Sequence, residues 1–180
     1  MKVLVPLAPG FEEIEAVTII DILRRAQIHV TTAHLGENPV TGSHNITVSA
    51  DIDIKKTSPG NFNCIVLPGG MPGSNNLKGN QHVISLIKEI NKSGGIVSAI
   101  CAAPIVLGYA GILHGKKAVC FPGFEKELNG AIISDSFIET DGNILTGKGP
   151  GCAIKFSLKL IELISGKNIS DNVKESLQIC

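Results

Sequence analysis

A mainly parallel α/β sandwich is the fold this sequence predicts, and three observations carry the expectation. Short apolar runs of strand length alternate with segments of helical period along most of the 180 residues. The first run, Lys2–Leu7, is joined to Ile28–Ala33 by an amphipathic stretch, the spacing of a βαβ unit with parallel strands. The inner runs Cys64–Leu67 and Ile96–Ile100 are apolar or small throughout, as strands covered on both faces are.

Each element follows in order. Pro9-Gly10 turns the chain after Lys2–Leu7. Glu12–Arg25 has helical spacing, with Ile14, Val17, Ile20 or Asp21, and Leu23 giving an imperfect apolar stripe. Glu12, Glu13 and Glu15 fill its first turn and Arg24-Arg25 its last, as a helix dipole prefers. Gly36–Asp53 reads as turns and short strands, an antiparallel excursion at a sheet edge. Cys64–Leu67 ends in Pro68-Gly-Gly-Met-Pro-Gly73, and Gln81–Lys92 places Val83, Leu86, Ile87 and Ile90 on one helical face. After Ile96–Ile100, Pro104 opens a helix at a position where its missing N–H costs nothing. Lys117–Phe121 is a strand, Glu125–Leu128 a helical turn, and Ile132–Ser134 and Ser136–Thr140 are extended pieces. Asp141-Gly142 then turns the chain into Ile144–Thr146. Gly149-Pro-Gly151 precedes an apolar helix over Cys152–Ile164, and Ser170 suits the N-cap of a last helix. No linker, repeat or low-complexity tract interrupts the series, so residues 1–180 are expected to form one domain.

Composition narrows the class. Hydrophobic residues make up 43% of the chain, and its formal net charge is zero. No global field draws it to nucleic acid or anionic membrane. The N-terminus lacks the apolar core and cleavage pattern of a secretion signal. Gly94–Leu113 is uncharged and long enough to span a bilayer. Pro104, Gly108, Gly111 and the change from strand to helix character at Cys101 argue against a span. The five cysteines (64, 101, 120, 152 and 180) are scattered with no C-x-x-C pair. They suggest neither a zinc site nor a disulfide framework, and fit a reducing cytoplasm. Cys64, Cys120 and Cys152 lie in apolar segments and read as core. The last residue, Cys180, reads as exposed.

The chemistry is expected at Cys101. A cysteine on a sharp strand-to-helix turn is the thiol version of a nucleophile elbow, and a helix N-terminus favours thiolate, here with an expected pKa of roughly 5–6. In open parallel sheets the loops beyond the carboxyl ends of the strands converge on one site. Pro9–Glu15, Pro68–Met71, Ala99–Pro104 and Gly149–Gly151 all fall there. Gly69 and Gly70 let backbone come close to a ligand, and with the Ala102 N–H offer an oxyanion hole. His29 and His34 are an odd number apart on one strand and make a poor metal pair. His82 and His114 read as surface residues. Neither a metal nor an organic cofactor is expected.

Four segments together resemble the ThiJ/PfpI superfamily: Leu-Ala-Pro-Gly-Phe-Glu-Glu-Ile-Glu15, Leu-Pro-Gly-Gly70, Ala-Ile-Cys101-Ala-Ala-Pro and Leu-Thr-Gly-Lys-Gly-Pro-Gly151. The branch they fit holds the parkinsonism-associated protein deglycase and its bacterial relatives. The resemblance runs from Lys2 to about Val173 and implies a flavodoxin-like sandwich, a homodimer and an oxidisable cysteine. Carried over by position, Cys101 matches the nucleophile and Glu15 the carboxyl that contacts it. Gly70 and Ala102 match the backbone donors, and Gly149 and Pro150 a loop lining the pocket. Glu12 and Glu13 are left as solvated first-turn charges.

Two positions depart from the pattern. Phe121 stands where some members have a histidine beside the cysteine. His44 stands about where others have an arginine that reaches the partner's pocket. Ala102 follows the cysteine where the peptidase-like branch has histidine, so a Cys-His protease is not expected. The resemblance implies glyoxalase- or deglycase-like hydrolysis of methylglyoxal, or of its adducts on proteins and nucleotides, by Cys101 assisted by a protonated Glu15. The alternative is a peroxide-sensitive redox sensor or chaperone without turnover. Nothing in the residues supports the thiamine-precursor synthesis attached to some family names.

Overall fold

The computed structural model describes residues 1–179, and Cys180 lies outside them. The chain runs β1 (Lys2–Leu7), α1 (Glu13–Arg25), β2 (His29–His34), β3 (Val40–Thr41), β4 (Thr47–Val48), β5 (Ile52–Asp53), β6 (Cys64–Leu67), α2 (Gly73–Gly79) and α3 (Gln81–Lys92). It continues through β7 (Ile96–Ile100), α4 (Pro104–Tyr109), β8 (Lys117–Ala118), β9 (Ile132–Ile133), β10 (Ile138–Asp141), β11 (Ile144–Gly147), α5 (Ala153–Ser165) and α6 (Lys167–Ser176). Seven strands form one sheet in the order β10-β11-β7-β6-β1-β2-β5. Every pairing in it is parallel except the β10–β11 hairpin at one edge.

Because side chains alternate across a strand, the two faces build two cores. Leu4, Ile65, Leu67, Val97 and Ala99 pack with Val83, Leu86, Ile87 and Ile90 of α3 and with Ile105 and Val106 of α4. Val3, Val5, Cys64, Val66 and Ile100 pack with Ala16, Ile19 and Leu23 of α1 and with Phe156, Leu160 and Ile161 of α5. The uncharged run at Gly94–Leu113 is divided between β7 and the six-residue α4. Among the described residues no helix is long and apolar enough to cross a membrane.

Several expectations are corrected. Ile14 and Val17 face outward, 57% and 48% exposed. The buried face of α1 is Ala16, Ile19, Ile22 and Leu23, together with Glu13 and Glu15. The helix is rolled so that two carboxylates point inward. A short helix at Gly73–Gly79, poor in apolar residues, was not signalled by periodicity. The strand expected over Lys117–Phe121 stops at Ala118. Beyond it Val119 N–H donates to Thr146 Oγ1 at 3.0 Å and Phe121 N–H to the Cys101 carbonyl at 2.8 Å, so those amides leave the ladder. Ser170 is not the N-cap of the last helix. It lies one turn inside α6, buried, and its hydroxyl donates to the Leu158 carbonyl at 2.8 Å, tying α6 to α5. His82 is half-buried against Thr57 rather than free on the surface.

Candidate active site

Cys101 follows the last residue of β7 and adopts φ +63°, the left-handed region that L-residues avoid. Its neighbours hold it there. The Cys101 N–H donates to the Gly147 carbonyl at the end of β11, and its own carbonyl accepts from Phe121 N–H, both at 2.8 Å. The turn leaves the residue 8% exposed, at the base of a pocket of about 390 Å³. Glu12, His44, Gly70, Met71, Ala102, Phe121, Phe124 and Pro150 line that pocket with it.

Glu15 reaches the same point from α1 and is fully buried. Its Oε2 accepts the Gly69 N–H at 2.7 Å. Its Oε1 is buried with no hydrogen-bond partner, close enough to Cys101 for the thiol to perturb the carboxyl. Gly69 is therefore not part of an oxyanion hole, because its donor is committed to Glu15. A Cβ there would lie 2.7 Å from Cys101 Cβ and 2.8 Å from Glu15 Oε2, so only glycine lets the three segments meet. Gly70, at φ +89°, turns its N–H toward the sulfur, as Ala102 does.

The electrostatics modify the expected thiol. Burial first, then the charge of Glu15 and its hydrogen bond, push the Cys101 thiol up to about 12, against the Gly70 and Ala102 N–H groups. The expected simple lowering by a helix end fails because α4 begins only at Pro104 and the sulfur is buried beside a carboxyl. Burial pushes Glu15 up to about 7, aided by Glu12 and opposed by Gly69 N–H and the thiol. The two groups thus hold one proton between them above about pH 7 and titrate as a pair. The sulfur faces two N–H donors and the pocket. The carboxyl has one donor and no exposure. This geometry favours the charge on sulfur and the proton on Oε1, which then gains the partner it otherwise lacks.

Of the other expected site residues, Phe121 and Pro150 line the Cys101 pocket, whereas Gly149 lies in an adjoining groove behind the Phe121 ring. His44 is on the β3–β4 turn and lines the pocket of its own chain. Glu12 and Glu13 are not solvated. Glu12 is half-buried, and Glu13 is 4% exposed and accepts hydrogen bonds from His44 N–H at 2.6 Å and Ile46 N–H at 3.2 Å. Sequence reasoning missed this because the donors come from a turn more than thirty residues away. Glu12, Glu13 and His44 bring three metal-capable atoms within 4.8 Å of one another. Those two N–H groups engage Glu13 Oε1, and Ser43 Oγ and His44 Nδ1 engage Oε2, so the cluster reads as a clamp on the turn. Cys64, Cys120 and Cys152 are buried, and burial raises the Cys64 and Cys120 thiols above their ordinary range.

Fold and site together define a class: α/β proteins that hold a strained thiol over a buried carboxyl at the carboxyl ends of parallel strands. A family model described as DJ-1/PfpI matches residues 1–163, and the chain belongs to that family. It is 37% identical over 179 residues to Protein dj-1beta of Drosophila melanogaster, covering 98% of this chain and 96% of that protein. It is 41% identical to Protein DJ-1 homolog B of Arabidopsis thaliana over 92% of this chain, which spans only 39% of that longer protein. The crystal structure of Drosophila melanogaster DJ-1beta superimposes with a TM-score of 0.94 at 36% identity, covering 99% of this chain and 98% of that one. The structure of oxidized Toxoplasma gondii DJ-1 gives 0.92 at 36% identity, over 99% and 98%.

Proposed function

We infer that this protein is a cysteine-dependent hydrolase of reactive aldehydes, acting on methylglyoxal or its adducts. The observation that carries the reading is the pairing of Cys101 with the buried Glu15 carboxyl and two N–H donors beneath an open pocket. With the thiol proton on Glu15, the sulfur bonds to the aldehyde carbon. The carbonyl oxygen takes up a proton to give a hemithioacetal. Moving the proton of that carbon to its neighbour through an enediolate turns the hemithioacetal into a thioester of lactate. Water then cleaves the carbon–sulfur bond, so methylglyoxal and water become lactate and the thiol returns. Glu15 carries the protons, because Phe121 offers no acid or base where some relatives have histidine.

That same phenyl ring favours a second reading, a peroxide sensor. The thiolate attacks a peroxide oxygen, the O–O bond breaks, and sulfenate forms with release of water; a second peroxide gives sulfinate. In this reading the new oxygens accept from the Gly70 and Ala102 N–H groups, which face the sulfur. Lactate formation from methylglyoxal, compared between wild type and Cys101→Ser, decides between the readings. Lactate at the Cys101→Ser level, with oxygen still added to Cys101 by peroxide, would leave the sensor.

A homodimer in a reducing cytoplasm completes the proposal. The outward Ile14 and Val17 of α1, with Ile46 57% exposed on the β3–β4 turn, supply apolar surface for a second copy. Sedimentation at micromolar concentration should return twice the chain mass, and a clean monomer refutes the dimer.

A further inference from the structure

A second groove runs beside the Cys101 pocket. Phe121 and Pro150 line both and form the partition between them. Pro122, Phe137, Lys148 and the backbone of Gly149–Cys152 complete it, enclosing about 450 Å³. That volume lies in the range of roughly 300–1,000 Å³ found for small-molecule sites. Two aromatic rings are left open to water at this place, Phe137 at 71% and Phe121 at 43% exposure.

One cation stands over the groove. Lys148 Nζ sits 5.5 Å from the centroid of the Phe137 ring. Among the described residues it has no carboxylate within ion-pair distance. Glu125, which feels its charge, is engaged by the Gly123 N–H. The groove thus has an aromatic body, an unspent positive end and a shared wall with the reactive thiol. An aldehyde as small as methylglyoxal uses none of these.

We propose that this groove is the substituent subsite of the Cys101 pocket and takes an aromatic-bodied group ending in a carboxylate. The inference rests on Cys101 being the reacting thiol, as argued above. The aromatic body stacks against Phe121 and Phe137 in the offset or edge-on geometry such rings prefer. The carboxylate draws Lys148 from its place over Phe137 into a charge-assisted hydrogen bond. The preferred carbonyl substrate is therefore an arylglyoxal bearing a carboxylate rather than an alkyl one.

The test separates this subsite from turnover by reading alkylation of Cys101. Three reagents are compared on the full chain: iodoacetamide, phenacyl bromide and 4-carboxyphenacyl bromide. In the phenacyl reactions an S–C bond forms, the C–Br bond breaks and bromide leaves. Rates are divided by those of glutathione to remove intrinsic reactivity, and mass spectrometry confirms the site. Wild type should favour the carboxylated over the plain phenacyl reagent by roughly two- to fivefold, the preference expected of one partly exposed ion pair. Lys148→Gln should abolish that preference and Lys148→Arg restore it. Phe137→Ala should slow both aryl reagents, and iodoacetamide should react alike in all variants. A wild-type ratio equal to that of glutathione, or a preference retained in Lys148→Gln, overturns the proposal. Missing lactate formation with this alkylation pattern intact would overturn the turnover reading and leave the groove standing.

Discussion

Replacing Glu13 by glutamine should destabilise the fold far more than loss of a first-turn charge does. Glu13 Oε1 accepts the His44 and Ile46 N–H groups, and Oε2 takes hydrogen bonds from His44 Nδ1 at 3.0 Å and Ser43 Oγ at 3.3 Å. Burial alone would raise this carboxyl, but the donors win and hold it at about 2, down from 4.5. A folded-state pKa below the unfolded one adds stability above the unfolded value and loses it as pH falls. The window is therefore pH 4.5 down to about 2. The gap corresponds to roughly 3 kcal/mol at about 1.36 kcal/mol per pKa unit. Solvent around the exposed His44 ring screens part of it, leaving about 2 kcal/mol. Glu13→Gln should lower stability at pH 7 by that amount in urea unfolding, and Tm by about 4–8 °C. The deficit should shrink by about half near pH 3, where the wild type is losing the same interaction. A deficit under about 0.5 kcal/mol at pH 7, or one that grows as pH falls, would refute the clamp and return Glu13 to an ordinary helix-dipole charge.

Two further predictions concern the elbow. At φ +63° a side chain costs about 1–2 kcal/mol that glycine avoids, partly offset by glycine's larger entropy loss, so Cys101→Gly should be more stable than Cys101→Ala by about 0.5–1 kcal/mol in chemical denaturation. Equal stabilities would mean that the turn carries no strain. Alkylation of Cys101 should rise with pH through a midpoint near 7, where the pair loses its first proton. Glu15→Leu should move that midpoint up by roughly one to two units, the equivalent of a charged hydrogen bond of about 1.5–3 kcal/mol, and Glu15→Gln should move it less. A midpoint that falls in Glu15→Leu would put the charge on the carboxylate instead.

The parallel sheet was legible because every inner strand is a compact apolar run and α3 has a clean helical period. What failed to show has one cause: it depends on pairings between distant segments. Nothing in Glu12–Arg25 reveals that Glu13 will meet the amides of His44 and Ile46, so its apolar stripe was assigned to Ile14 and Val17. Those side chains stay outside because the helix turns its carboxylates inward. Cys101, Glu15 and Gly70 were legible through family motifs, and through the rule that strand ends converge. The assignment of the Gly69 N–H to Glu15 rather than to an oxyanion was not, since two adjacent glycines carry the same signal.

The buried pair also explains what kind of reagent this cysteine is. A thiol lowered by a helix end alone would be ionised and open to any electrophile. Here ionisation of sulfur requires the carboxyl to hold the proton, because burial makes two charges side by side prohibitively costly. The proton that leaves the thiol is thus kept beside the nascent bond, available to the oxygen of an attacked carbonyl. No second acid is needed for that first step, which is why Phe121 is compatible with addition to an aldehyde. The later proton shift between neighbouring carbons is more demanding. In the proposed hydrolysis that shift would fall to the same carboxyl, which burial raises toward the range where a group can both give and take a proton near neutral pH. Reversible addition therefore makes smaller demands on this site than completed hydrolysis, and the distance between those two outcomes is set by one residue, Glu15.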